Sequence, residues 1–171
     1  ATIAGLTPNL PYHFRLVVSN AFAVVYGFDQ ILDEANVVSW GANYVGQATM
    51  QPGLSNAVAI AGAYDHSLAL KNNGTVAAWG DNTFGQATVP SGLNNVLAVA
   101  GGAYYSMALQ HGGTVTAWGA NILGQITVPP GLNGVVSIAG GTYSSLALRN
   151  NGAIVAWGAT FFNLTNVPPG L

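Results

Sequence analysis

Asp65, His66 and Ser67 are the one place in this 171-residue chain where an acid, a base and a hydroxyl follow one another. Such groups could activate a nucleophile if their side chains converged. Successive side chains of a strand point to opposite faces, so the triplet cannot form a catalytic triad from its own side chains. Asp65 and His66 are nevertheless the candidate catalytic residues of the chain.

Acidic residues form a second candidate site. Asp29, Asp33 and Glu34 supply three of the five carboxylates of the chain. Carboxylates together with Asn and backbone carbonyls suit Ca²⁺, which takes six to eight hard oxygen ligands. The alternative interpretation is a solvated linker. A further fragment, Asp81-Asn82-x-x-Gly85, resembles part of a calcium loop, but its Asn recurs in register at 43 and 121, which predicts a turn of a repeat.

Tyrosines form the third set of candidates. The segment 62–67 aligns with 101–106 and 140–145, with a constant frame and a variable middle that is rich in Tyr. Tyr offers a large rigid surface, few rotamers and a polar tip, all of which suit protein binding. The sequence therefore nominates a ligand- or partner-binding set, with packing inside the fold as the alternative role: Tyr64, Tyr104, Tyr105 and Tyr143.

Composition excludes several partners. Half of the residues are hydrophobic, 5% are charged, and the formal net charge is −2 with three Lys and Arg in total. So few cations leave no electrostatic footprint for nucleic acid or for an anionic membrane surface. No apolar run approaches the ~20 residues of a spanning helix. The chain has no Cys, which excludes disulfides and thiolate metal sites.

A repeat positions the Tyr loops and the Asp65-His66-Ser67 triplet. The four tryptophans, Trp40, Trp79, Trp118 and Trp157, are spaced 39 residues apart, and Gly follows each one. Apolar runs and Asn-Gly or Gly-Gly turns recur with the same period, which indicates about four short antiparallel strands per unit. Such a unit is typical of a propeller blade. We therefore predict an all-β fold, a small β-propeller of about four, or five, four-stranded antiparallel blades.

The first 36 residues depart from the repeat. Leu6-x-Pro8-x-x-x-Tyr12 resembles the tyrosine corner of a fibronectin type III domain, and residues 1–32 resemble the last three strands of that domain. We expect these residues to form three antiparallel strands, which Val37 to Gly41 join in a hybrid first blade. The predicted organisation is a fibronectin-like segment, 1–36, followed by repeat blades, 37–171. The first residue is Ala, and we expect a mature or trimmed product.

The repeat phrase resembles a known family. Val-x-x-Trp-Gly-x-Asn-x-x-Gly-Gln, an Ala-Gly strand and His66-Ser67-Leu68-Ala69-Leu70 are similar to the regulator-of-chromosome-condensation-type repeat. The Thr-Val-Pro-x-Gly-Leu variant looks most like bacterial secreted members, which include a propeller-type β-lactamase inhibitor. That resemblance implies an extracellular or cell-surface bacterial protein, a structural His66, and loops that bind proteins through aromatic anchors. Family members usually close seven blades, so two chains could also complete a ring as a homodimer by blade swapping.

Three functional hypotheses follow. The first is a secreted module that recognises a protein or small ligand through the Tyr-rich loops. The second is a Ca²⁺-dependent hydrolase of the lactonase or esterase type, in which the metal polarises a carbonyl and activates water. Its candidate residues are Asp29, Asp33, Glu34, Asp65 and His66. The third is an inactive fragment of a surface repeat protein.

Overall fold

The computed structural model describes residues 12–14, 17–19, 24–26, 30–32, 37, 39–49, 51, 54, 56–161 and 164–168. The chain divides into two units, Ala1–Asn36 and Val37–Leu171. In the described residues, no helix has the length and apolar character needed to cross a lipid bilayer.

The described residues of the first unit form four short strands, whereas the sequence predicted three. They are β1 (Tyr12–Phe14), β2 (Val17–Ser19), β3 (Val24–Tyr26) and β4 (Gln30–Leu32). β1 pairs antiparallel with β4, and β2 with β3. Paired valines, a residue type that favours strands, account for the β2–β3 ladder. The predicted merger with the first blade remains a prediction, and Leu6 and Pro8 of the tyrosine corner lie outside the described residues.

The described part of the second unit forms three antiparallel sheets of three strands, which we call blades 1, 2 and 3. This architecture confirms the predicted all-β propeller fold. Blade 1 consists of β5 (Ala57–Gly62), β6 (His66–Lys71) and β7 (Val76–Gly80). Blade 2 consists of β8 (Val96–Gly101), β9 (Tyr105–Gln110) and β10 (Thr114–Gly119). Blade 3 consists of β11 (Val135–Gly140), β12 (Ser144–Arg149) and β13 (Ile154–Gly158).

The fourth stretch of each repeat forms turns instead of the expected strand. In residues 81–90, the Ala87 N–H donates to the Asn82 side chain, and the Thr88 N–H donates to the Gly85 carbonyl. Pro90 has no N–H to offer a ladder. These local hydrogen bonds therefore occupy backbone N–H groups that a fourth strand would need for pairing. Val37 and residues 39–41 likewise lie outside the sheets of the described chain.

The hydrophobic core lies between neighbouring blades. Leu68 and Leu70 of blade 1 pack with Val96 and Trp118 of blade 2. In the next interface, Met107 and its neighbours pack with residues of blade 3 that include Trp157. The Trp118 and Trp157 rings therefore fill space between blades. The first strands also approach closely, since a Cβ on Gly140 would lie 2.5 Å from the Gly101 carbonyl oxygen.

A repeated polar joint explains why Trp and Gly-Gln share one period. The Gln86 carbonyl accepts a hydrogen bond from Trp118 Nε1 at 2.9 Å and another from Ser106 Oγ at 2.8 Å. The equivalent joints use Gln47 with Trp79 and Ser67, and Gln125 with Trp157 and Ser145. Trp79, Trp118 and Trp157 are therefore each fixed to the closing turn of the preceding repeat.

Candidate functional site

The predicted Tyr loops lie at one edge of the blades, which we call the loop edge. In each antiparallel blade, the first strand ends where the second begins and the third ends. The loop edge thus combines the connections 63–65, 102–104 and 141–143 with the segments 81–85 and 120–124 that follow the third strands. The opposite hairpin edge carries the turns 72–75, 111–113 and 150–153.

Backbone bonds fix the two kinds of loop to each other. The Asp81 N–H donates to the Asp65 carbonyl at 2.8 Å, and the Ala120 N–H donates to the Tyr104 carbonyl at 2.9 Å. Gly119 makes this approach possible, because it has a φ of +107° and a Cβ there would lie 2.7 Å from the Tyr104 carbonyl oxygen. Gly80, Gly119 and Gly158 therefore each allow the close approach at which these backbone bonds hold the loop in place.

Three rings form an aromatic cluster on the loop edge: Tyr64, Tyr104 and Phe84. The Tyr64 and Tyr104 ring centroids are 6.0 Å apart, and Phe84 meets Tyr104 edge-on at 5.6 Å. Tyr64 is 70% exposed, Phe84 is 46% exposed and Tyr104 is half-buried. Sequence reasoning missed Phe84. The sequence did carry a signal for Phe84, because the equivalent position of the neighbouring repeats is also apolar, as Val45 and Leu123.

Blade 3 carries a related pair. Tyr143 packs edge-on against Phe161 with a centroid distance of 6.0 Å. Tyr143 is half-buried, and Phe161 is exposed. The aromatic character of the loop edge therefore extends beyond blades 1 and 2.

Tyr105 is a correction to the predicted binding set. Its side chain has 0% exposure and packs in the core between blades 2 and 3. Its hydroxyl donates to the Ser144 carbonyl at 2.6 Å. Tyr105 is the first residue of β9, and its side chain points into the interface, so the ring cannot contact a partner.

His66 occupies the equivalent buried position in blade 1. It is 1% exposed, and its Nε2 lies 2.9 Å from Ser106 Oγ. Ser106 donates its own proton to the Gln86 carbonyl, so His66 Nε2 must be the donor in this bond. Burial lowers the pKa of His66, although the nearby Asp81 and Asp65 oppose that shift. The ring is buried between blades, but His66 also lines the pocket described below, so its catalytic assignment stays a prediction from sequence.

Both carboxylates of the described second unit lie on the loop edge. Asp65 accepts a hydrogen bond from Gln47 Nε2 at 3.3 Å. Asp81 accepts bonds from the Thr83 hydroxyl and from Gln86 Nε2, each at 2.6 Å. The Thr83 hydroxyl is the main reason that the pKa of Asp81 lies below its usual value. The residues 81–85 form the turn that the sequence predicted, rather than a calcium loop.

The predicted calcium ligands Asp29, Asp33 and Glu34 lie outside the described residues. Within the part of the chain that the structure describes, His, Cys, Asp and Glu form no group of three that could hold a metal ion. The hydrolase hypothesis, in which Asp65 was also a candidate, therefore stays a prediction from sequence.

A pocket of about 600 Å³ lies beside the aromatic cluster, within the second unit. Trp40, Tyr44 and Tyr64 line it, together with Asp65 and Gln47. All three rings are exposed, Trp40 to 85%. The pocket therefore combines aromatic surface with one carboxylate.

Comparison with known proteins identifies the type of repeat. Residues 57–86, which span blade 1 and the turn after it, match the regulator of chromosome condensation (RCC1) repeat. No curated protein sequence matches the chain.

Solved structures of three proteins are similar in fold. Prp20p from Saccharomyces cerevisiae is 27% identical, with 67% of this chain and 33% of that chain covered and a TM-score of 0.57. The ectodomain of the receptor kinase CR4 from Physcomitrella patens is 26% identical, with 77% and 38% covered and a TM-score of 0.59. Human WBSCR16 is 22% identical, with 71% and 37% covered and a TM-score of 0.57. This chain spans 33–38% of the length of these structures.

Together, the joints that recur every 39 residues and the inter-blade core define a β-propeller architecture, which is similar to that of proteins built from RCC1 repeats. The finer resemblances, to bacterial secreted β-lactamase inhibitors and to a fibronectin type III domain, stay predictions.

Proposed function

We propose that this chain is a protein-binding module that contacts its partner through the loop edge. The observation that carries the proposal is the aromatic cluster, in which Tyr64, Tyr104 and Phe84 expose ring surface in mutual contact. Aromatic rings bring large contact areas at a small cost in conformational entropy, and they dominate the binding energy of many interfaces. Backbone bonds between the loops hold these rings in place before any partner arrives.

The relatives support protein binding as the type of function. Yeast Prp20p is described by its binding to Gsp1p and histones, and Kap60 binds the same protein. This chain spans about a third of Prp20p, so we carry over the type of function and none of those partners. The resemblance to secreted inhibitors leads us to propose an extracellular or cell-surface location, again with a protein as partner.

Selection of binding peptides from a random displayed library tests the proposal. We expect selected peptides to lose at least about tenfold in affinity on Tyr64→Ala or Tyr104→Ala, as aromatic anchors do. Lys71→Ala and Asn73→Ala, at the hairpin edge, are matched controls that should retain binding. Thermal unfolding confirms that each variant is folded. Loss of affinity in the hairpin-edge variants alone would contradict the proposal.

The pocket favours a second candidate, a small-ligand site. A volume of about 600 Å³ lies within the range of small-molecule sites, and aromatic walls with one carboxylate could orient a small ester or lactone. A thermal-shift screen of such compounds tests this candidate. A true ligand should raise the melting temperature of the wild type and should fail to do so on Tyr44→Ala. A screen without any shift would remove the candidate.

We also propose association of two chains by blade swapping, as the repeat count suggested. Mass measurement in solution distinguishes this dimer from a monomer. A single species at the 17.4 kDa monomer mass would overturn it.

A further inference from the structure

Charge is separated between the two edges of the blades. Among the described residues of the second unit, the carboxylates Asp65 and Asp81 lie at the loop edge. Lys71 and Arg149 end the second strands of their blades, and both lie at the hairpin edge. Arg149 is also occupied by hydrogen bonds to Asn133. The loop edge of the described chain is therefore anionic, with no Lys or Arg to neutralise it.

The two carboxylates belong to the same loops as rings of the aromatic cluster, and Asp65 lines the pocket beside Tyr64. Asp65 follows Tyr64 in the chain, and Phe84 belongs to the same turn as Asp81. The bond from the Asp81 N–H to the Asp65 carbonyl ties the two loops together. Hydrogen bonds from Thr83 and Gln86 hold the Asp81 carboxylate in one orientation. Negative charge and exposed ring faces thus occur together on a rigid surface.

We infer that the loop edge binds an arginine side chain presented by a protein partner, an inference that rests on the proposed function. Ring faces attract a cation through their quadrupole, and nearby carboxylates add Coulomb attraction. Arginine fits better than lysine, because its planar guanidinium stacks on rings and loses its weaker hydration more readily. The aromatic cluster provides the stacking surface, and Asp65 and Asp81 provide the negative charge.

Substitutions on the loop edge should separate the contribution of the rings to binding from the contribution of the carboxylate charges. Tyr104→Ala removes the central ring of the aromatic cluster and should weaken an arginine peptide about tenfold, a typical effect of a partly desolvated cation–π contact. Asp65→Asn keeps the shape, removes one charge, and should reduce the salt dependence of binding. His111→Ala is the matched control, because it removes an exposed ring at the hairpin edge, opposite the aromatic cluster.

The peptide selection described above tests this inference with a second readout. Peptides whose binding depends on Tyr64 or Tyr104 should be enriched in arginine over the library. For the best peptide, replacement of its arginine by the neutral isostere citrulline should lower the affinity at least about tenfold. Replacement of the same arginine by lysine should lower the affinity less. Chemical shifts of the Tyr64, Tyr104 and Phe84 rings should report the contact directly.

The outcomes distinguish the inference from the proposed function. Loop-edge-dependent peptides that lack arginine, or that bind equally well with citrulline, would overturn the inference and leave the proposed function standing. Selected peptides that never depend on Tyr64 or Tyr104 would overturn both. Arginine peptides that shift resonances of the hairpin edge instead would place the cation contact elsewhere and also overturn the inference.

Discussion

Single side chains join neighbouring blades of this propeller. The Tyr105 hydroxyl reaches from β9 to the Ser144 carbonyl, and it also lies 3.0 Å from Ser145 Oγ. In the preceding interface, between blades 1 and 2, His66 makes the equivalent contact with Ser106. The sequence identified these aligned positions but not their burial. Tyr104 and Tyr105 are adjacent and chemically identical, and only the start of the strand decides which ring faces the interface.

Removal of the Tyr105 hydroxyl tests this joint. Tyr105→Phe removes one of the two hydrogen bonds that the Ser144 carbonyl accepts, the other coming from the Gly141 N–H, and the free energy of unfolding should fall by about 0.5–1.5 kcal/mol. Tyr104→Phe, the matched control one residue away, should change it by less than about 0.5 kcal/mol. Chemical denaturation measures both variants. Equal effects in the two would contradict the assignment of Tyr105 to the interface.

The buried His66 makes stability depend on pH. Burial lowers the pKa of His66 in the folded state, so below pH ~6.5 the unfolded chain binds more protons than the folded chain. The free energy of unfolding should therefore decrease as the pH falls from about 7.5 towards the lowered folded pKa, by at most about 1.4 kcal/mol per pH unit.

His66→Gln isolates this contribution. Gln can still donate towards Ser106 but does not titrate, so the pH dependence should flatten between about pH 7.5 and 5.5. His111→Gln, at an exposed turn, is the control and should retain the slope of the wild type. Denaturation curves at several pH values provide the measurement. Parallel slopes in all three proteins would show that His66 does not contribute.

At the scale of elements, the turn after each Trp determines where the Tyr loops lie. The 39-residue period, the hairpins and the Gly after each Trp were all readable from the sequence. The replacement of the fourth strand by turns was not, because it depends on the Asn82 side chain taking the Ala87 N–H. Contact between Phe84 and Tyr104 was equally hidden, since it joins segments of neighbouring repeats.

Substitution of Gly119 tests the role of this turn. Gly119→Ala places a Cβ against the Tyr104 carbonyl and should cost about 2–4 kcal/mol, from strained φ and steric overlap together. Gly112→Ala is a matched control, with a φ of +89° but no heavy atom within 4 Å of its Cβ, and should cost only about 1 kcal/mol. Thermal unfolding gives both values. NMR shifts of Tyr104 should move in the first variant only.

At the scale of the whole molecule, equivalent leucines of the repeat are buried against a neighbouring blade in one blade and partly exposed in another. Leu68 of blade 1 is fully buried against blade 2, whereas its counterpart in blade 3, Leu146, is 37% exposed. Leu70 and Leu148 differ in the same way. The sequence predicts equivalent roles for these residues because their repeats align. Their burial differs because it depends on what packs against each blade.

Paired truncations measure that difference. Leu70→Ala removes packing from the interface between blades 1 and 2 and should cost about 2–4 kcal/mol. Leu148→Ala makes the same chemical change on a partly exposed face and should cost less than about 1 kcal/mol. Denaturant unfolding compares the two. A large effect of Leu148→Ala would show that other protein covers that face in solution.

The affinity of a selected peptide for Tyr104→Ala, compared with Lys71→Ala, shows whether the loop edge is the surface that binds protein partners. The two variants alter opposite edges of the same blades, so global effects on folding should cancel in the comparison. A protein-binding loop edge predicts at least about a tenfold loss for Tyr104→Ala and less than about a twofold change for Lys71→Ala. Equal losses in both variants, or a loss confined to Lys71→Ala, would contradict the account.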